Sequence, residues 1–213
     1  MRYKAILFDM DGTLLDTLTD MADAVNHILS VHGWPLRTTE EVRAFVGNGA
    51  RRLMERAVPP EVTGGDFEAV LTEYRDWYQA HNCVATAPYP GIPVLLAALA
   101  EAGIKTAVVS NKPDATTKAL AARFFPGLPA FGQRDDVPPK PAPDLVFRAL
   151  ETLGVDAADA IYVGDSEVDV ATARNTGLPL AAVSWGFRGR RALAEAGAAV
   201  IVDTAAELLE VLR

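Results

Sequence analysis

Five short apolar runs rich in Ile and Val, each stopped by Asp, Asn, Gly or Ser, constrain this chain more than any other feature. They are Lys4 to Phe8, Lys105 to Ser110, Ala160 to Val163, Leu180 to Ser184 and Ala199 to Val202. Strands buried on both faces of a parallel sheet have this texture, because neither face needs a polar residue. Helical patterns separate the runs. Pro93 to Ala102 closes at Gly103, Pro141 to Leu153 closes at Gly154, and Thr204 with Glu207 has capping-box spacing for a last helix. The alternation predicts an α/β fold: a Rossmann-like doubly wound parallel sheet, binding ligands beyond the carboxyl ends of its strands.

Between about Asp16 and Val84 the alternation lapses. Leu18 to Val31, Glu40 to Val46 behind a Thr38/Glu41 capping box, Ala50 to Val58 and Asp66 to Ala80 all read as helices. Pro59-Pro60 and Gly64-Gly65 read as breaks between them. An all-helical cap domain over residues 16–84 is therefore expected, inserted into an α/β core of residues 1–15 and 85–213. A chain of 213 residues is long enough for both.

The net charge of -8 argues against nucleic acid and anionic membranes as partners, since both reward clustered Lys and Arg. Cys83 is the single cysteine, so no intramolecular disulfide can form. The first apolar run is too short for a signal peptide, and no stretch is long enough to span a bilayer; a cytoplasmic location is expected.

The chemistry gathers at the strand ends. Asp9-Met10-Asp11-Gly12-Thr13 follows the first run, and side chains two apart on an extended segment point the same way. Two neighbouring carboxylates repel; a hard dication relieves one, and a protonated partner can serve as a general acid. Ser110-Asn111 ends the second run, where a hydroxyl and a backbone N–H can bind phosphate oxygens. Lys140 lies among prolines that restrict where its ammonium can go, and Gly164-Asp165-Ser166-Glu167-Val168-Asp169 follows the third run. Taken singly, each element also reads as a turn or a helix cap.

In this order the four elements resemble the motifs of the haloacid dehalogenase superfamily of phosphatases and phosphotransferases. The resemblance implies Asp9 as the nucleophile and Asp11 as the acid that protonates the leaving alkoxide, then the base that deprotonates water. It implies Ser110, the Asn111 amide and Lys140 as the grip on the phosphoryl oxygens. Magnesium would sit on Asp9, the Asp11 carbonyl and Asp165, with Asp169 behind them, fixing Lys140 or a water on the metal. Dehalogenases of the superfamily lack the second acid, because halide needs no proton to leave.

Phe45 to Ala57, Tyr89-Pro90-Gly91 and Lys140-Pro141-Ala142-Pro143-Asp144 are similar to the phosphoglycolate phosphatase family. In the cap, Gly47-Asn48-Gly49 leads into a helix whose first N–H groups suit an anion, with Arg51 and Arg52 in its first turns. Asn48, Gly49, Arg51 and Arg52 are thus the expected cap contacts to a small phosphorylated metabolite, best matched by 2-phosphoglycolate. Phe131 to Pro139 departs from that family's pattern. Pyrophosphatase, sugar-phosphate phosphatase and β-phosphoglucomutase activities fit the same scaffold, and a non-catalytic ligand-binding α/β domain is the reading from another class.

Overall fold

A computed structural model describes residues 2–213 and divides the chain into two compact units, Met1–Asp16 with Pro88–Arg213, and Thr17–Ala87. The first unit is built on β1 (Ala5–Phe8), and β2 (Leu15–Asp16) pairs with β3 (Ala87–Pro88) as a separate short ribbon. Then come β4 (Lys105–Pro113), β5 (Ala130–Gln133), β6 (Ala160–Gly164), β7 (Leu180–Val183) and β8 (Ile201–Val202). Six of these form one sheet in the order β5-β4-β1-β6-β7-β8, and its paired strands run parallel. The order reverses around β1, where doubly wound sheets open their ligand crevice.

The apolar runs lack alternation because both faces of the sheet are covered. Ala5, Leu7, Ala107, Val109, Ala160 and Tyr162 pack on one side with Leu145, Val146 and Ala149. The intervening Ile6, Phe8, Val108, Ile161 and Val163 are equally buried.

Strand β5 and the length of β4 were not foreseen. Ala130-Phe131-Gly132-Gln133 is short and carries a glycine, which hides it as a strand. Yet β4 pairs with β5 as far as Pro113 and Gln133, so Ser110, Asn111 and Lys112 lie inside β4 rather than past its end. A Cβ at Gly132 would collide with the backbone of Asp114, which explains the glycine. The reading of Pro141 to Leu153 as one helix is also corrected. The helix there is Asp144–Leu153, because Pro143 disfavours the helical region for Ala142 before it and so opposes an earlier start. Thr204 accepts from the Glu207 N–H at 3.1 Å, but the Glu207 carboxylate reaches back to the Asp203 N–H (2.8 Å), so the box is displaced by one residue.

The second unit holds α1 (Leu18–Val31), α2 (Thr39–Phe45), α3 (Gly49–Ala57) and α4 (Gly64–His81). The Thr38/Glu41 capping box before α2 forms, with the Thr38 N–H donating to Glu41 at 2.7 Å and the Glu41 N–H to the Thr38 hydroxyl at 3.2 Å. Gly64-Gly65 opens α4 instead of breaking the chain.

A buried carboxylate anchors the returning chain. Asp20 on α1 accepts from the N–H groups of Val84 (3.1 Å), Ala85 (2.8 Å) and Thr86 (2.9 Å). Asp20→Ala strands the buried Thr86 N–H and frees the part-buried bonds from Val84 and Ala85, so a loss of about 2 kcal/mol is expected by urea titration, with Asp20→Asn intermediate. A loss under about 0.5 kcal/mol would show that water replaces the carboxylate at no cost.

Candidate active site

Asp9 and Asp165 emerge from neighbouring strands at the reversal of the sheet. Phe8 of β1 is in register with Val163 of β6, and the Asp9 N–H donates to the Val163 carbonyl at 2.8 Å, carrying the ladder one residue further. The Asp9 Oδ1 accepts from the Met10 N–H at 2.7 Å and lies 3.0 Å from the Lys140 ammonium. That ammonium also donates to the Asp169 Oδ1 at 2.9 Å and the Tyr162 hydroxyl at 2.8 Å. A lysine has three N–H donors, and here three acceptors face them.

The surroundings hold this lysine in place. The Asn111 side chain accepts from the Lys140 N–H (2.7 Å) and donates to its carbonyl (2.9 Å), clamping the backbone from β4. Asp169 does two jobs on different oxygens. Its Oδ2 accepts from the Ser166 N–H (3.1 Å) and hydroxyl (2.7 Å), capping the helix Glu167–Thr176, while its Oδ1 takes the lysine. The Tyr162 hydroxyl donates to the Val109 carbonyl at 3.2 Å.

Asp165 is fixed from two loops: the Thr13 hydroxyl donates to Oδ1 at 3.3 Å, and the Phe187 N–H to Oδ2 at 2.7 Å. Gly12 sits against this carboxylate with φ 83°, and a Cβ there would strike it, so only glycine serves. The Trp185 indole donates to the Thr13 carbonyl at 3.0 Å, tying the loop after β7 to the loop after β1.

Burial pushes the Asp9 carboxyl up to about 7; Lys140 opposes this, while Asp169 and Asp11 add to it. Burial likewise raises Asp165 well above the carboxylate range, with Asp169 and Asp9 next in effect. Burial alone would lower the Lys140 ammonium, but Asp169 and Asp9 outweigh it and hold the group well above its ordinary value. One oxygen each from Asp9, Asp165 and Asp169 lie within 4.8 Å of one another. An all-oxygen set of crowded carboxylates suits a hard divalent cation. Asp169 has both oxygens engaged by Lys140, Tyr162 and Ser166, so Asp9 and Asp165 are the pair that fits such an ion.

Asp11 is paired where the sequence showed no partner. Both of its carboxylate oxygens lie 3.0 Å from the Lys112 ammonium, and the Lys112 N–H donates to the Ser110 hydroxyl at 3.2 Å. Lys112 and Tyr162 were both missed. The available signal for Lys112 was its place two residues after Ser110, but the register of β4 against β5 shifts between Val109 and Pro113, so strand alternation alone does not reach it.

In the helical unit, Asn48 precedes α3 without a side-chain cap bond, and Gly49 starts it with φ 82°. Arg51 binds Glu68 through two N–H groups at 2.9 and 2.7 Å, and Arg52 binds Glu55 at 2.7 Å. Both guanidiniums are thus engaged by carboxylates of their own unit. Among the described residues, no helix is long and apolar enough to cross a membrane.

Known proteins are similar to this chain along nearly its whole length. N-acetylmuramic acid 6-phosphate phosphatase of Pseudomonas aeruginosa is 36% identical over 221 aligned positions, covering 100% of this chain and 96% of that protein. Phosphoglycolate phosphatase of Pseudomonas savastanoi pv. phaseolicola is 34% identical, covering 97% and 78%. A crystal structure from Lactobacillus delbrueckii subsp. bulgaricus, of a provisionally named phosphoglycolate phosphatase, superposes with a TM-score of 0.94. It is 37% identical and covers 100% of this chain and 99% of that one. The model of the haloacid dehalogenase-like hydrolases matches residues 6–183, from β1 through β7, and so includes Asp9, Asp11, Lys112, Lys140, Asp165 and Asp169. With its motifs, its sheet order and its phosphatase relatives in agreement, the chain belongs to the haloacid dehalogenase-like hydrolase family.

Proposed function

We propose that this protein hydrolyses a small phosphate monoester through an aspartyl phosphate on Asp9, with magnesium as cofactor and 2-phosphoglycolate as substrate. The observation that carries the reading is the setting of Asp9, a carboxylate at the central strand end beside one buried ammonium and a second acid two residues away. The bonds from Met10 and Lys140 both fall on Oδ1, so Oδ2 is the oxygen placed to attack phosphorus. The ester oxygen leaves with a proton from Asp11; Asp11 then takes a proton from the water that opens the acyl phosphate. Ser110, the Asn111 N–H and Lys140 hold the phosphoryl oxygens. Because the three N–H groups of Lys140 already have acceptors, gripping phosphate means trading its bond to Asp9, which releases the nucleophile at the moment of binding.

Asp9, Asp165 and the Asp11 carbonyl would hold the magnesium, which supplies positive charge against the transferring phosphoryl group. A raised carboxyl binds its proton more tightly folded than unfolded, so the metal-free protein loses stability as pH rises from about 4 to about 7. An ion that needs ionised Asp9 must displace that proton. The gain in Tm from magnesium should therefore grow between pH 5.5 and 7.5, roughly tracking Asp9 ionisation about pH 7, and excess chelator should abolish turnover. A gain in Tm that is flat across that range would remove Asp9 from the metal set.

Acid-quenched enzyme should carry one phosphate on Asp9, released by hydroxylamine as acyl phosphates are; an unmodified Asp9 under burst conditions would exclude the covalent route. For the substrate, phosphoglycolate phosphatases recur among the relatives, and 2-phosphoglycolate matches the resemblance of the helical unit. A second reading, a 6-phosphorylated N-acetylmuramic acid, is favoured by the relative matched over 96% of its own length. Comparing kcat/KM on the two esters and on pyrophosphate separates them; a tenfold or greater preference, about 1.4 kcal/mol, decides.

A further inference from the structure

We infer that Lys112 is a positioning residue for Asp11: it orients that carboxylate for proton transfer and stabilises the charge Asp11 acquires when the leaving group takes its proton. The inference rests on the reading of Asp11 as acid and base.

The site contains two separate carboxylate–ammonium pairs. Asp9 is served by Lys140, which arrives from the loop before the helix Asp144–Leu153 and is clamped there by Asn111. Asp11 is served by Lys112, from β4. The second pair is buried, with 4% of the lysine side chain and 14% of the aspartate exposed. Both Asp11 oxygens are 3.0 Å from the ammonium, so the lysine holds both oxygens of the carboxylate instead of one.

The lysine is in turn fixed by its backbone. Its N–H donates to the Ser110 hydroxyl, and its carbonyl accepts from the Thr117 hydroxyl at 3.1 Å. The latter anchors it to the helix Asp114–Phe124 that follows β4. A long flexible side chain held this way restrains what it binds.

The chemistry requires such a partner. When Asp11 gives its proton to the alkoxide, negative charge appears on a carboxylate two residues from Asp9, in a site too buried for water to screen it well. An ammonium already in contact with both oxygens meets that charge without reorganisation. Lys140 does not face Asp11: its three acceptors are Asp9, Asp169 and Tyr162.

The test uses leaving groups, because the need for proton transfer to the leaving oxygen falls as the leaving group becomes a weaker base. Turnover of glycerol 2-phosphate, a poor leaving group with no second anion, is compared with p-nitrophenyl phosphate, whose phenolate leaves with little help. Lys112→Met, Lys112→Arg and Asp11→Asn are measured on both at saturating magnesium, with folding checked by thermal melting. Lys112→Met should lower kcat for the alkyl ester at least roughly tenfold more than for the aryl ester, with KM for either little changed, and Lys112→Arg should recover most of the difference. Asp11→Asn should show the same split, larger. If Asp11→Asn splits the substrates and Lys112→Met lowers both equally, Lys112 serves the fold or the phosphate and the inference is overturned. If Asp11→Asn shows no split, the acid role of Asp11 falls and this assignment with it. Should Lys112→Met not fold, Lys112→Gln takes its place: it too must split the substrates, and equal losses on both would overturn the inference.

Discussion

Asp9→Asn is expected to lower turnover of every phosphate monoester by at least roughly a thousandfold, because an amide oxygen cannot form the acyl phosphate. The substitution changes little else. Asparagine keeps the shape, and its oxygen can still accept from the Met10 N–H and from Lys140 as Oδ1 does now. It also removes a buried charge crowded by Asp169 and Asp11, the groups that help push the Asp9 carboxyl up. The variant should therefore melt no lower than the parent when magnesium is absent, and gain less when magnesium is added. Its defect should be equal for alkyl and aryl esters, since the nucleophile is needed whatever leaves; that separates it from Asp11→Asn. Turnover within tenfold of the parent would move the covalent step to another group or abolish it.

How far the sequence alone reaches depends on how local the cause is. Asp9 and Asp165 could be placed from the sequence because each follows a run too apolar to be anything but a buried strand, and strand ends in a doubly wound sheet converge by topology; Ser110 and Asn111 were placed at such an end, but lie inside β4. The capping box at Thr38 was legible because its partner is three residues away. Tyr162 was hidden by the same logic that revealed β6. Inside an apolar run its ring counts as core, and its hydroxyl acquires a role only through Lys140, 22 residues distant, and Val109, 53 residues distant. Lys112 was hidden by an error of extent. With β4 ended at Ser110, the lysine fell in a loop; only the pairing with β5, itself disguised by Gly132, keeps the segment extended as far as Pro113. Asp169 illustrates the limit differently. The sequence offered a helix cap or a support for the site as alternatives, and the structure does both, one with each oxygen.

Lys140→Met is the other substitution with a large expected effect, and it acts on stability and turnover together. Lys140 is 3% exposed and is the ammonium shared by Asp9 and Asp169. Removing one partner of a buried ion pair leaves its carboxylates uncompensated and costs about 3–5 kcal/mol, far more than the lost methylene packing, which methionine largely restores. The deficit has a predictable pH dependence. Lys140 stabilises Asp9 only while Asp9 is ionised, and its carboxyl sits at about 7. The loss should be greatest above pH 7 and should shrink as pH falls through 7 towards 5, where a protonated Asp9 no longer needs the cation. Turnover should fall at least roughly a hundredfold even where the variant is folded, because a pre-placed positive donor to the phosphoryl oxygens is gone. Tyr162→Phe isolates the third contact. It removes one acceptor from the ammonium and leaves both carboxylates paired, so about 1 kcal/mol and less than about tenfold in turnover are expected. Urea titrations of both variants at pH 5.5 and 8, beside kcat on one aryl ester, check all of this. A Lys140→Met deficit independent of pH would mean that the lysine supports the fold without compensating Asp9. The release of the nucleophile on phosphate binding would then have no physical basis, since that exchange requires the two groups to hold each other in the resting site.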